Sequence, residues 1–220
     1  MATKWGKIMP IPGTNTIVDI SHHNNVTNWN SVVNAGIFAV VHKATEGSTY
    51  RDSTYHARKQ KALDKGLRWG SYHFSSGADA VTQVENYLEY ANPEDDELVC
   101  LDYEPSYNGH NMTLAAMERF VKEIKKALGR YPVIYGGSLL RQVTENIGGT
   151  ILSECPLWFA RYNNQPLGIP DPWPTWTLWQ YTDGSVGPDP HTVPGIGHCD
   201  RDTFNGTAER LAEAWPLTQA

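Results

Sequence analysis

The chain has 220 residues, with 24 acidic against 18 basic side chains and a formal net charge of −6. That length can bury a full core as one domain, since single barrels routinely reach it. The absence of any basic run excludes the footprint of a nucleic-acid binder, and no segment is apolar over a bilayer's span, so no membrane insertion is expected. Three cysteines, Cys100, Cys155 and Cys199, make an odd count in apolar surroundings and read as reduced, buried thiols rather than a disulfide framework. Met1 to Ile8 lacks the apolar centre of a signal peptide. Synthesis in the cytoplasm, as a soluble and monomeric protein, is the expectation.

Residues 1–15 carry Pro10, Pro12 and Gly13 and read as an irregular lead-in, followed by one domain over 16–220. The pattern predicts a strand over 16–21, ending in Asp19 and Ser21, then a short helix over 28–36 that Gly36 stops. A second apolar strand spans 37–43 and runs into the polar loop Ala44-Thr45-Glu46-Gly47. A helix from about Asp52 to Lys65 ends at Gly66, and a third strand covers 68–74. The next helix runs from 78 to 90, the next strand from 98 to 103, and a long helix from 113 to 128 closes at Gly129. Strand 131–135 and a helix near 138–146 complete a fifth strand–helix unit. Such alternation predicts a parallel sheet with crossover helices. Beyond residue 150 three further strands are predicted, at 156–162, 176–181 and 197–200, joined by Pro/Gly-rich loops, before a terminal helix over 207–215. Eight strands without a linker or repeat point to an α/β fold: a closed TIM-like barrel of five β/α units and three strands on shortened connections.

The most informative stretch is Leu98-Val99-Cys100-Leu101-Asp102-Tyr103-Glu104-Pro105. An apolar run marks a strand buried on both faces. Its alternation sets Asp102 and Glu104 on one side, with Cβ atoms about 6–7 Å apart. Two carboxyls this close in a low-dielectric site cannot both ionise freely. One of them is then held protonated, as a general acid requires at neutral pH. In a parallel barrel the site lies where the strands end. Asp19, Asp102, Glu104 and Asp200 fall there, among Tyr72, Tyr135, Tyr162 and Trp179. Carboxylates bind sugar hydroxyls and aromatic rings stack on sugar faces, so this composition fits a saccharide cleft. In a regular strand Gln180 faces away from Trp179, so one of that pair belongs to the core.

The motifs Asp19-Ile20-Ser21, Lys43-Ala44-Thr45-Glu46-Gly47, Gly70-Ser71-Tyr72-His73-Phe74, Leu101-Asp102-Tyr103-Glu104, Tyr131-Pro132-Val133-Ile134-Tyr135, Trp158-Phe159-Ala160-Arg161-Tyr162, Trp179-Gln180-Tyr181 and Cys199-Asp200 occur in this order. Together they resemble the glycoside hydrolase family 25 lysozymes, over about residues 16–206. The resemblance implies a flattened barrel with five α/β units and three further strands. It also implies hydrolysis of the β-1,4 bond between N-acetylmuramic acid and N-acetylglucosamine in a peptidoglycan glycan strand, without a cofactor. One departure lies near the C-terminus, where the family usually has Asp-x-Asn before its Phe and this chain has Asp200-Arg201-Asp202 before Phe204. Asp202 adds a charge near the mouth.

On this reading Glu104 is the general acid, Asp102 stabilises the developing positive charge, and Asp19 and Asp200 orient the sugar or attacking group. Tyr72, Tyr135, Tyr162 and Trp179 contact the substrate, and Lys43 with Glu46 forms a structural ion pair. A strand spacing of about 6–7 Å falls between the carboxyl separations of retaining and inverting glycosidases and leaves both open; retention through the substrate's 2-acetamido oxygen is what the family implies. A metal hydrolase is a competing reading, because His22, His23, His73 and His198 lie near predicted strand ends, but no H-x-H or H-E-x-x-H spacing supports it. A binding-only barrel would lack one of the four acids. A signal-free chain of this kind suits a phage or prophage endolysin that reaches the wall after release, and equally a toxin delivered by a secretion machine or a fragment of a longer chain.

Overall fold

The computed structural model describes residues 11–107 and 109–218. Among them run β1 (Thr14–Ile20), α1 (Trp29–Asn34), β2 (Ala39–Glu46), β3 (Tyr50–Arg51), α2 (Tyr55–Leu63), β4 (Arg68–Phe74) and α3 (Ala80–Ala91). β5 (Leu98–Tyr103), α4 (Leu114–Leu128), β6 (Val133–Gly136), α5 (Ser138–Thr144), a 3-10 turn at Ile151–Glu154 and β7 (Leu157–Ala160) follow. The chain ends with β8 (Leu178–Thr182), β9 (Thr192–Val193), β10 (Gly197–His198), β11 (Asp200–Phe204) and α6 (Ala208–Ala214). Of the lead-in expected over 1–15, the first ten residues lie outside the described ones; Thr14 and Asn15 already belong to β1.

Local signals explain the helix ends. Side chains of Asn28, Asp79 and Thr113 accept hydrogen bonds from the backbone N–H groups of Ser31, Thr82 and Ala116, satisfying donors that a first helical turn leaves free. Gly129 stops α4 in the left-handed conformation at φ 70°. α2 starts at Tyr55 rather than near Asp52, because the Asp52 backbone N–H bonds Ala44 O and its carboxylate accepts from Thr54 and His22. That buried carboxylate ties the loop to β2 and delays the helix.

Eight strands close into a barrel in the order β1-β11-β8-β7-β6-β5-β4-β2, with β2 pairing back onto β1 and β3 added outside β2. Within the barrel all neighbours are parallel except those of β11, which runs antiparallel to both β8 and β1; β3 outside it is antiparallel to β2. One prediction is corrected here. Gly197-His198 is not the eighth barrel strand but one arm of a small hairpin with Thr192–Val193, and the barrel strand starts at Asp200. The connections after β7 lack helices, and residues 161–177 bridge β7 to its parallel neighbour β8.

Alternation along each strand divides the apolar residues into two bodies. Ile17, Val41, Leu98, Cys100, Val133, Trp158, Leu178 and Phe204 pack inside the barrel, while Val18, Val40, Leu101, Tyr103, Phe159 and Trp179 face the helices Leu114–Leu128 and their neighbours. α6 closes the floor. Leu211 and Trp215 join the interior group, Trp215 meets Phe38 edge-on at 5.8 Å, and its indole N–H donates to Asp96 O at 3.0 Å. All three cysteines are free and buried.

Candidate active site

The inward positions that carry aliphatic side chains in the lower barrel carry polar ones at its mouth. Two residues beyond Ile17 comes Asp19; two beyond Val41, Lys43; two beyond Cys100, Asp102, with Glu104 next; two beyond Leu178, Gln180. β11 runs the other way, so its first residue, Asp200, reaches the same mouth and registers against Asp19. A cavity of about 140 Å³ opens there, lined by Asp19, Lys43, Asp102, Glu104 and Asp200 together with Ser21, His23, Tyr72, Phe74, Cys100, Tyr107, Tyr135, Trp158 and Tyr162. The four predicted acids therefore meet in one place. So do three of the four predicted aromatics.

Trp179 does not. It is fully buried on the outer face of β8, and its indole N–H donates to Arg161 O at 2.7 Å. The inward place belongs to Gln180. Its Oε1 accepts from Tyr135 Oη at 2.7 Å and from Tyr162 Oη at 2.9 Å, and its Nε2 donates to Asp19 Oδ2 at 2.8 Å. One amide thus fixes two tyrosines and one acid, each on a different strand or loop. Trp158, also absent from the predicted set, lines the cavity and donates from Nε1 to Asp202 Oδ1 at 2.7 Å. The signal for both was the phase of their strands relative to Leu178 and Tyr135. Tyr107, 82% exposed and stacked on Phe74 at 5.7 Å, sits in a loop whose sequence carried no such signal.

The electrostatics follow from burial. Asp102 and Glu104 are both held above the ordinary carboxyl range by desolvation, and Glu104 adds to the upward push on Asp102. Lys43 opposes both shifts. It pairs with Glu46 at 2.5 Å, as expected, and also lines the cavity. Asp19 is raised by burial and by Asp202, and Asp200 is pushed up to about 9 by burial and by Asp19. Asp102 Oδ1 is buried with no hydrogen-bond partner among the described residues. An acceptor left open at the cavity wall is available to a ligand N–H or O–H.

Of the histidines weighed as metal ligands, His22 and His23 lie ring against ring at 3.9 Å, and the other two stand elsewhere. His73 points outward, where it bonds Thr45 and Gln83, and is lowered to about 4 by burial; His198 lies on the hairpin arm and bonds Gly184 O. Among the described residues, no group of three or more His, Cys, Asp or Glu side chains is arranged to hold a metal ion.

A closed barrel with paired acids at the carboxyl ends of its strands and tyrosines around them defines a glycosidase-type site. Residues 18–189 match the profile of the Glycosyl hydrolases family 25, a span that includes Asp19, Asp102 and Glu104 and stops before Asp200. Lysozyme M1 of Streptomyces globisporus is 28% identical over 209 residues, covering 88% of this chain and 69% of that protein. An N,O-diacetylmuramidase of Arthroderma benhamiae is 27% identical over 205 residues, covering 88% and 83%. The bacterial lysozyme of Streptomyces coelicolor superposes with a TM-score of 0.81 at 28% identity, over 95% of this chain and 100% of the other. The chain belongs to glycosyl hydrolase family 25 and is a glycoside hydrolase.

Proposed function

We propose that this protein is a lysozyme of the endo-N-acetylmuramidase type, which cuts the β-1,4 bond between N-acetylmuramic acid and N-acetylglucosamine in peptidoglycan. One observation carries the reading: Asp102 and Glu104 share one wall of a tyrosine-lined cavity, with Asp102 Oδ1 left unpartnered there. Glu104, half-buried and raised, keeps its proton at neutral pH and delivers it to the leaving glycosidic oxygen. Asp102 accepts the N–H of the sugar's 2-acetamido group through its open oxygen. That turns the acetamido oxygen toward the anomeric carbon, where it acts as the internal nucleophile and gives retention. Asp19 and Asp200 hold the sugar or the incoming water, and Tyr72, Tyr135 and Tyr162 bind its faces and hydroxyls. The partner is a glycan strand of the bacterial wall, met by a monomer after release from the cell that makes it, in the manner of an endolysin. No described helix is long and apolar enough to cross a membrane.

Glu104→Gln keeps the shape of the side chain and removes the transferable proton. It should lower release of reducing ends from purified peptidoglycan by at least about 100-fold with an unchanged circular dichroism spectrum. Mass spectrometry of wild-type digests should place muramic acid at the new reducing end. Substantial residual activity in the variant removes Glu104 from its role, and glucosamine at the new end removes the muramidase assignment.

A further inference from the structure

Asp19, Asp200 and Asp202 lie on the inward sides of two adjacent strands, and none of them forms an ion pair among the described residues. Asp202 lies deeper than the other two and is absent from the cavity lining, at 0% exposure. Its Oδ1 takes the Trp158 indole N–H, and its Oδ2 has no donor within reach. Within hydrogen-bond reach of Asp202 lies the carboxyl of Asp19, which is also within reach of Asp200. Two carboxyls can bond only when one of them holds a proton. The other polar groups facing Asp202 are Asp200 and Arg201 on its own strand, Cys100 on β5, and Tyr181 and Cys199. None of these offsets a buried anion by direct contact: Arg201 turns outward and spends its guanidinium on Thr192 O and the Asn15 side chain.

We propose that Asp202 is a positioning residue: it and Asp19 hold one buried proton between them, and loss of that proton at alkaline pH disrupts the mouth where β1 meets β11. Asp202 touches no opening and so acts through Asp19, which Gln180 holds from the other side. Burial, reinforced by Asp200, raises its affinity for the proton, while the Trp158 N–H, the hydrogen bond with Asp19 and the Arg201 charge work in the opposite direction. The sign of the linkage follows. Below about pH 4 both folded and unfolded chains hold this proton, and its contribution to stability is complete. Above that, the unfolded chain releases the proton and the folded chain retains it, so stability falls with rising pH until the buried acid ionises.

The role of Asp202 rests on the muramidase reading only for its activity readout, and the test separates the two. Asp202→Asn offers an oxygen to Trp158 and an N–H to Asp19 at every pH. Melting temperatures of variant and wild type should coincide near pH 4 and diverge towards pH 9 in favour of the variant. The alkaline limb of kcat/KM on peptidoglycan should move up by about one pH unit or more, with activity at acid pH kept within roughly threefold. In wild-type protein carrying 13C-labelled aspartate, the Asp202 carboxyl resonance, assigned by its absence from the variant, should be among those that keep proton-bound shifts at pH 7. Parallel melting profiles, an unmoved alkaline limb, an ionised shift for that resonance at pH 7, or failure of the variant to fold each overturn the proposal, since the neutral isostere satisfies every contact invoked. A wild type that cuts no peptidoglycan overturns the muramidase reading alone, and the melting and resonance measurements still decide the role of Asp202.

Discussion

Gln180 shows how much of this site depends on a side chain that takes no part in proton transfer. Replacing it by Leu leaves two tyrosine hydroxyls without their acceptor and Asp19 without its donor, in a space where water cannot compensate fully. Gln180→Leu should therefore reduce kcat/KM on the order of 100-fold through misplaced groups, while far-ultraviolet circular dichroism stays native; activity within threefold of wild type would show that the tyrosines and Asp19 position themselves. Asp19 and Asp102 were legible because each falls two residues beyond an apolar inward position, Glu104 because it follows Asp102 at the same spacing, and Asp200 because it stands beside a motif of the family. The choice between Trp179 and Gln180 was not. Leu178 and Trp179 are both apolar and both buried, so hydrophobicity does not say which of the two faces inward. Asp202 was legible as a departure from the family pattern, but not as a residue with an unpartnered oxygen in the interior.

Among the elements, the helices were the most readable, because capping residues and glycine stops declare their ends in sequence. α2 was misplaced by three residues where Asp52 serves a tertiary contact instead of a cap. Capping and packing give different predicted costs. Thr113→Ala removes the α4 cap and should cost about 1 kcal/mol, with activity unchanged. Gly136→Ala sets a Cβ at 2.7 Å from Leu140 Cβ and 2.9 Å from Tyr103 O, forcing α5 or the end of β5 to move. It should cost about 1–3 kcal/mol and, because Tyr103 lies between Asp102 and Glu104, also reduce turnover. Urea unfolding alongside a reducing-end assay checks both; equal effects of the two variants on activity would show that β5 is insulated from its neighbour.

For the whole molecule, five strand–helix alternations were enough to predict the barrel, whereas the direction of its last strand was not readable. Strand direction depends on where the preceding connection leaves the chain, and residues 183–199, with their hairpin, return it to the mouth before β11 begins. β11 is the stave that closes the sheet. A chain ended after residue 195 would expose the edges of both β1 and β8 and lose Asp200 and Asp202. It should show no cooperative thermal transition by circular dichroism; a sharp transition would mean that the open sheet is stable by itself.

That reversal also separates the two poles of the molecule by task. The chain enters β11 at the catalytic rim and leaves it at Phe204, opposite Thr14, after which α6 lies across the base against Phe38 and Asp96. A tether continuing from α6 would consequently depart from the blind side of the barrel. A passenger carried there, whether an affinity handle or an anchoring module, would leave the approach to Glu104 unobstructed.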